Sequence, residues 1–278
     1  MTSVAATLEA LTRTLAPVGA GARLEAGVLL AHALGCSRAA LLADPARPLT
    51  AAEDATLAAF AGRRLAGKPV AYLTGRREFW SLEFEVTPAV LVPRPETELL
   101  VELALRALTG RHAPAVLDLG TGSGALALAL ARERPDAAIV AVERSPEALA
   151  VARRNAARLG CDQVRFVAGS WYEPLAGQRF ALVVANPPYI ASDDPALLTL
   201  RHEPRGALDG GADGLAALRL VCAGAVAHLQ AGGTLIVEHG ATQGPAVRAL
   251  CRNAGLAGAA THRDLAGHER ATQAAAPG

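Results

Sequence analysis

Aromatic side chains are scarce in this sequence, at only 4% of its residues. A core of aromatic slabs is excluded, and the interior has to come mainly from Ala, Leu and Val. Long apolar runs are missing as well. None approaches the ~18 residues that a bilayer-spanning helix needs, so no membrane association is expected. The opening stretch MTSVAATLEALTRTL places Glu9 and Arg13 inside a helical pattern. It has neither the basic start nor the unbroken apolar stretch of a signal peptide, and a cytoplasmic protein is expected.

An excess of charge of one sign is also absent, since the formal net charge is +1. That leaves no bulk attraction to an anionic surface, and no direct nucleic-acid binding is expected. Cysteine is limited to Cys36, Cys161, Cys222 and Cys251, far apart, with no CxxC pair and no histidine spacing suited to zinc. Reduced, mostly buried thiols are expected, and no metal. Lysine occurs once, at Lys68, so arginine supplies almost all the positive charge. Together with the alanine excess this reads as coding bias and says little about function.

What is present falls into distinct styles. Across residues 1–75, apolar positions recur at helical spacing in ATLEALTRTL, ARLEAGVLLAHALG and AAEDATLAAFAGRRLAG, punctuated by Gly19, Gly21, Gly35, Pro45 and Pro48. The spacing predicts a small all-α bundle of roughly four or five helices. Residues 76–95 alternate apolar and polar side chains in REFWSLEFEVTPAVLVPRP, which predicts a β-hairpin linker. From residue 96 a helix in PETELLVELALRAL is followed by alternation of strand and helix. The strands are read in AVLDLG, AAIVAVE, QVRFVAG, FALVVAN and GTLIVEHG, with a helix in DGLAALRLVCAGAVAHLQ before the last. The tail predicts a closing hairpin. Such alternation gives an α/β fold with a parallel sheet covered on both faces.

The few aromatics are bunched: Phe79, Trp80 and Phe84, then Trp171 and Tyr172, then Tyr189. Flat-faced ligands use such clusters, as core packing does. VLDLGTGSGALALAL reads as a strand, a loop with Gly120, Gly122 and Gly124, and a helix. Glycines let the backbone turn tightly and let a ligand approach main-chain N–H groups, at the sheet edge where doubly wound folds bind nucleotides. The loop alone would serve NAD, FAD or S-adenosylmethionine. Glu143 ends the next strand, about 20 residues past the glycines, where an acid can accept bonds from ribose hydroxyls or simply cap the helix at Ser145-Pro146. Trp171 follows the third strand, where an adenine would lie, and core packing is its other reading.

The stretch VVANPPYI is the most telling. Two prolines end a buried strand, because each lacks an N–H and fixes φ. A rigid turn is the simpler reading. Methyl transfer to a planar amide or amine nitrogen is the chemical one. That lone pair is delocalised, so the site must hold the NH₂ by its hydrogens and expose its face to the methyl donor. The side-chain oxygen of Asn186 and the carbonyl of Pro187, stiffened by Pro187 and Pro188, supply two acceptors. Tyr189 offers a flat surface for stacking. Positioning carries such a reaction, with no metal and no covalent intermediate.

AYLTGRREFWSL, LVPRPETE, LDLGTGSGALAL, AVERSPEAL, ANPPYI, LIVEHG and RDLAGHER occur in this order over nearly the whole chain. In them the sequence resembles the release factor glutamine methyltransferase (PrmC/HemK) family. The ANPPYI signature is shared with adenine methyltransferases; the linker motifs are far more specific. The resemblance implies a Rossmann-like, seven-stranded class I methyltransferase domain over 96–278 and an N-terminal bundle over 1–75 that recognises the substrate. It implies S-adenosylmethionine as cofactor, class I peptide-chain release factors as partners, and methylation of the side-chain amide nitrogen of the glutamine in their GGQ motif, by a monomer. Gly120, Thr121, Gly122, Ser123 and Gly124 would face the methionine part of the cofactor, Glu143 its ribose and Trp171 its adenine. Asn186 would touch both cofactor and substrate, and Asn186, Pro187, Pro188 and Tyr189 would clamp the glutamine. Many relatives carry Asp where Glu143 stands, and an Asp where Ser170 precedes the tryptophan. Arg94 and Glu98 match the linker motif, and an ion pair between domains is one reading of them. A ribosomal-protein glutamine, adenine N6 in nucleic acid and a non-catalytic cofactor-binding module are the alternatives.

Overall fold

Ser3, Ser37 and Thr50 each accept a backbone N–H three residues further on, from Ala6, Ala40 and Glu53, and each starts a helix. Capping of this kind satisfies orphan donors that no intrahelical bond can reach. At Thr50 the cap is reciprocal, because the Glu53 carboxylate accepts the Thr50 N–H at 2.8 Å. These helices belong to the first of two units in the computed structural model, which describes residues 2–278. The first unit ends at Arg76 and holds α1 (Val4–Leu15), α2 (Ala22–Ala33), α3 (Arg38–Ala43), α4 (Ala51–Leu65) and α5 (Val70–Thr74). Leu15, Leu29, Leu30 and Leu49 form its fully buried centre.

The second unit, Arg77–Gly278, begins one residue into β1 (Arg76–Phe79), which forms a hairpin with β2 (Leu82–Glu85). Its two-residue loop, Trp80-Ser81, has φ of 51° and 56°. Both values are left-handed, as a turn matched to strand twist requires, although glycine or asparagine usually occupies such positions. Hydrogen bonds hold the turn. The Trp80 N–H donates to Glu98 Oε1 and its indole N–H to Glu133 Oε1, each at 2.8 Å.

A seven-stranded sheet follows, in the order β5-β4-β3-β6-β7-β9-β8. Its strands are β3 (Ala115–Leu119), β4 (Ala138–Glu143), β5 (Arg165–Ala168), β6 (Phe180–Ala185), β7 (Leu229–Glu238), β8 (Ala257–Arg263) and β9 (Glu269–Ala275). β5 through β7 in that order pair in parallel; β9 runs antiparallel to β7 and β8. The helices are α6 (Glu98–Ala107), α7 (Ala125–Glu133), α8 (Pro146–Leu159), α9 (Ala196–Thr199), α10 (Ala216–His228) and α11 (Gly244–Asn253). Every residue of β6 is buried, as expected of a central strand covered on both faces. β3 is flanked by β4 on one side and β6 on the other, so the chain reverses its winding there. Ligands bind at that switch point, beyond the carboxyl ends of the strands.

One boundary differs from the sequence reading. The stretch DGLAALRLVCAGAVAHLQ reads as a helix through Leu229 and Gln230, but α10 stops at His228 and β7 begins at Leu229. Leu229 is extended and pairs with Phe180 of β6. Tertiary pairing overrides the local helical pattern.

Candidate active site

Asp118 lies within β3, one residue from its end, and is buried. Its Oδ2 accepts the Thr121 hydroxyl at 2.6 Å and the Ala127 N–H at 3.2 Å. Its Oδ1 is buried with no partner among the described residues. Burial pushes the Asp118 carboxyl up to about 7, against the two hydrogen bonds. The glycine loop begins two residues on, with φ of 74°, 57° and 86° at Gly120, Gly122 and Gly124. All three lie in the left-handed region that side chains avoid. A Cβ on Gly120 would meet the Trp171 ring at 3.6 Å, so the indole lies along the loop.

Glu143, the last residue of β4, is held by both oxygens. Oε2 accepts the Gly122 N–H and Oε1 the Ser145 N–H, each at 2.9 Å. Each oxygen keeps a lone pair for a hydroxyl. Asn155 of α8 fastens the hairpin to the loop: it accepts the Glu85 N–H at 2.7 Å and donates to the Ser123 carbonyl at 2.9 Å. Asp118, Gly120, Gly122, Glu143, Trp171, Asn186 and Pro188 border a cavity of about 200 Å³. Gly124, expected to face the cofactor, does not border it: a Cβ there would meet Leu128 of α7 at 3.0 Å and Ala152 of α8 at 3.4 Å, so its place in the loop serves close packing.

A second cavity, of about 80 Å³, lies beside it, lined by Pro187, Tyr189, Leu208 and Glu238 among others. The Asn-Pro-Pro-Tyr stretch is thus divided. Pro188 borders the first cavity, Pro187 and Tyr189 the second, and Asn186 both. The Asn186 Nδ2 donates to Thr97 Oγ1 at 3.1 Å. The Tyr189 hydroxyl donates to Glu238 Oε1 at 3.0 Å, and Thr97 Oγ1 donates to Glu238 Oε2 at 2.6 Å. Burial raises the pKa of both Tyr189 and Glu238. The tyrosine therefore stays a neutral donor.

The linker motif is accounted for within the second unit. Arg94 forms an ion pair with Glu203, whose other oxygen accepts the Val92 N–H at 3.0 Å. Glu98 receives the Trp80 N–H. The reading of Arg94 and Glu98 as a pair between domains is corrected: the partners of both lie in their own unit. Thr121 and Ser123 border the first cavity, but the Thr121 hydroxyl is committed to Asp118. Asp118, Thr97, Glu203 and Glu238 were missed as site residues. The visible signal for Asp118 was a lone charge inside the apolar strand AVLDLG. The others become linked only through the fold.

The arrangement can take a cation at the unpartnered carboxylate oxygen, a diol at Glu143 and a flat ring beside Trp171. Such a cavity, at the switch point of this sheet, defines an S-adenosylmethionine-dependent class I methyltransferase, and the Methyltransferase small domain family model matches residues 96–202. The PrmC N-terminal domain model matches residues 7–75. The chain belongs to the release factor glutamine methyltransferase family. It is 54% identical over 263 residues to the release factor glutamine methyltransferase of Burkholderia pseudomallei, covering 92% of each chain. To that of Vibrio cholerae it is 45% identical over 276 residues, covering 97% of this chain and 96% of the other. Among solved structures, a methyltransferase from Pyrococcus furiosus superposes with a TM-score of 0.55 at 18% identity, over 78% of this chain and 97% of that one. The Thermus thermophilus 16S rRNA N2 G1207 methyltransferase, solved with AdoMet and guanosine, gives 0.55 at 22% identity, over 72% and 49%. These likenesses show the fold.

Proposed function

We propose that this chain transfers a methyl group from S-adenosylmethionine to the side-chain amide nitrogen of the GGQ glutamine of class I peptide-chain release factors. The observation that carries the reading is the position of Asn186, in the wall common to the two cavities. The larger cavity takes the cofactor and the smaller one the glutamine. When bound, S-adenosylmethionine supplies a methyl group activated by its sulfonium charge.

The protein's own residues hold and align. The unpartnered Asp118 Oδ1 suits the ammonium group of the cofactor, Glu143 its ribose hydroxyls and Trp171 its adenine, over the loop from Gly120 to Gly124. The Asn186 Oδ1 and the Pro187 carbonyl accept the two amide hydrogens, which fixes the plane of the NH₂ and turns its face to the reacting methyl carbon. Tyr189 and Pro187 wall the amide, and Pro188 stiffens the turn. A nitrogen that has gained a methyl group is strongly acidic and sheds its proton to water, so no strong base is required. The helical unit engages the body of the release factor, since the clamp reads a single side chain. The reading carries with it a cytoplasmic site of action for a monomer.

Transfer of labelled methyl from S-adenosylmethionine to a purified, unmodified release factor tests this. Label is expected in the release factor and absent when its GGQ glutamine is replaced by alanine. Equal labelling of the two would overturn the assignment of the target.

A further inference from the structure

An asparagine amide can present either end to an acceptor site, and only its oxygen can hold an N–H. The Asn186 side chain does not by itself decide between them. The decision is made two hydrogen bonds away. The chain runs from Asn186 Nδ2 to Thr97 Oγ1 at 3.1 Å, and from Thr97 Oγ1 to Glu238 Oε2 at 2.6 Å. Glu238 Oε1 accepts the Tyr189 hydroxyl at 3.0 Å.

A carboxylate only accepts, and a hydroxyl has one proton to give. The proton of Thr97 is therefore committed to Glu238. Only lone pairs of Thr97 are left for Asn186, which must turn its NH₂ towards Thr97 and its oxygen the other way. We propose that Glu238 is a positioning residue which, through Thr97, locks the Asn186 amide oxygen towards the methyl-accepting group. The inference rests on the amide-clamp reading of Asn186 given above.

One further observation supports it. Glu238 is buried, at 1% exposure. Burying a carboxylate is costly, and a structural role at the end of β7 could be filled by an apolar side chain. Both its oxygens are instead occupied by hydroxyls: that of Tyr189, which lines the acceptor cavity, and that of Thr97, which holds Asn186. Burial is the largest influence on Glu238 and raises its pKa, while the Thr97 and Tyr189 hydroxyls and Arg270 act against it; the relay operates with the carboxylate ionised.

The test compares Thr97→Val, Thr97→Ser, Glu238→Met and Asn186→Ala in the full chain. It measures kcat and KM on a release factor, and the cofactor Kd by calorimetry. Valine matches threonine in shape but offers no lone pair, so Asn186 is free to flip. Thr97→Val is expected to lower kcat about 10- to 100-fold, with cofactor Kd within about threefold, and Thr97→Ser to restore most of the loss. A wild-type kcat in Thr97→Val, with Asn186→Ala inactive, would overturn the relay and leave the clamp standing. A wild-type kcat in Asn186→Ala would overturn both. Should Thr97→Val fail to bind cofactor, Glu238→Met carries the test. It keeps size but removes both acceptors, so the Thr97 proton is freed and Asn186 can turn its oxygen towards it. Lowered kcat at unchanged Kd is expected, and unchanged kcat would overturn the relay.

Discussion

Asp118 and Thr121 are joined by a 2.6 Å hydrogen bond through one oxygen of the aspartate, while its other oxygen is buried in the cavity region without a partner among the described residues. An unpaired carboxylate oxygen in that position costs stability until a donor arrives. Its pKa of about 7 lies far above the ordinary 3.8. A cationic cofactor needs the ionised form, so affinity for S-adenosylmethionine should weaken as the pH falls below about 7. Asp118→Asn should weaken binding roughly 10-fold or more and flatten that pH dependence, as read by calorimetry.

The same group makes an opposite prediction for the protein without cofactor. A carboxyl whose folded pKa is raised binds its proton more tightly in the folded state. Its contribution to stability is complete below the ordinary aspartate range and is lost as the pH rises through about 7. Asp118→Asn should therefore raise the melting temperature at pH ~8 while impairing cofactor binding. A variant less stable than the parent at that pH would contradict this sign.

Much of the site was legible in the sequence because its signals are local. The glycine loop between β3 and α7, the acid ending β4 and the Asn-Pro-Pro-Tyr stretch after β6 are each short and contiguous. Strand–helix alternation revealed the sheet for the same reason. What escaped depends on distance along the chain. Thr97 and Glu238 are 141 positions apart, and Arg94 and Glu203 are 109 apart. No periodicity links such pairs; they meet only in the folded chain. The α10–β7 boundary escaped because Leu229 satisfies both a helical face and a strand.

Glu203 anchors Arg94, which borders both cavities. It is buried and binds both the Arg94 guanidinium and the Val92 N–H. Glu203→Ala would leave both donors without their acceptor. A loss of about 1–3 kcal/mol in denaturant-induced unfolding is expected, the lower end reflecting the partial exposure of Arg94. The KM for the release factor should rise with it, since Arg94 borders both cavities.

The hairpin turn gives a prediction in the stabilising direction. Ser81 is exposed with φ of 56°, where a side chain is strained and glycine is not. Ser81→Gly should stabilise the protein by about 0.5 kcal/mol, after the greater freedom of glycine in the unfolded chain offsets part of the relief. The denaturation midpoint would report it, and methyl transfer should be unaffected.

The most direct measurement is the mass of the GGQ peptide from a release factor incubated with this protein and S-adenosylmethionine, followed by acid hydrolysis of that peptide. The account predicts one added methyl group on the glutamine and release of methylamine on hydrolysis, because the methyl sits on the amide nitrogen, with neither signal from Asn186→Ala. An unmodified peptide, a methyl group that yields no methylamine, or full modification by Asn186→Ala would contradict it.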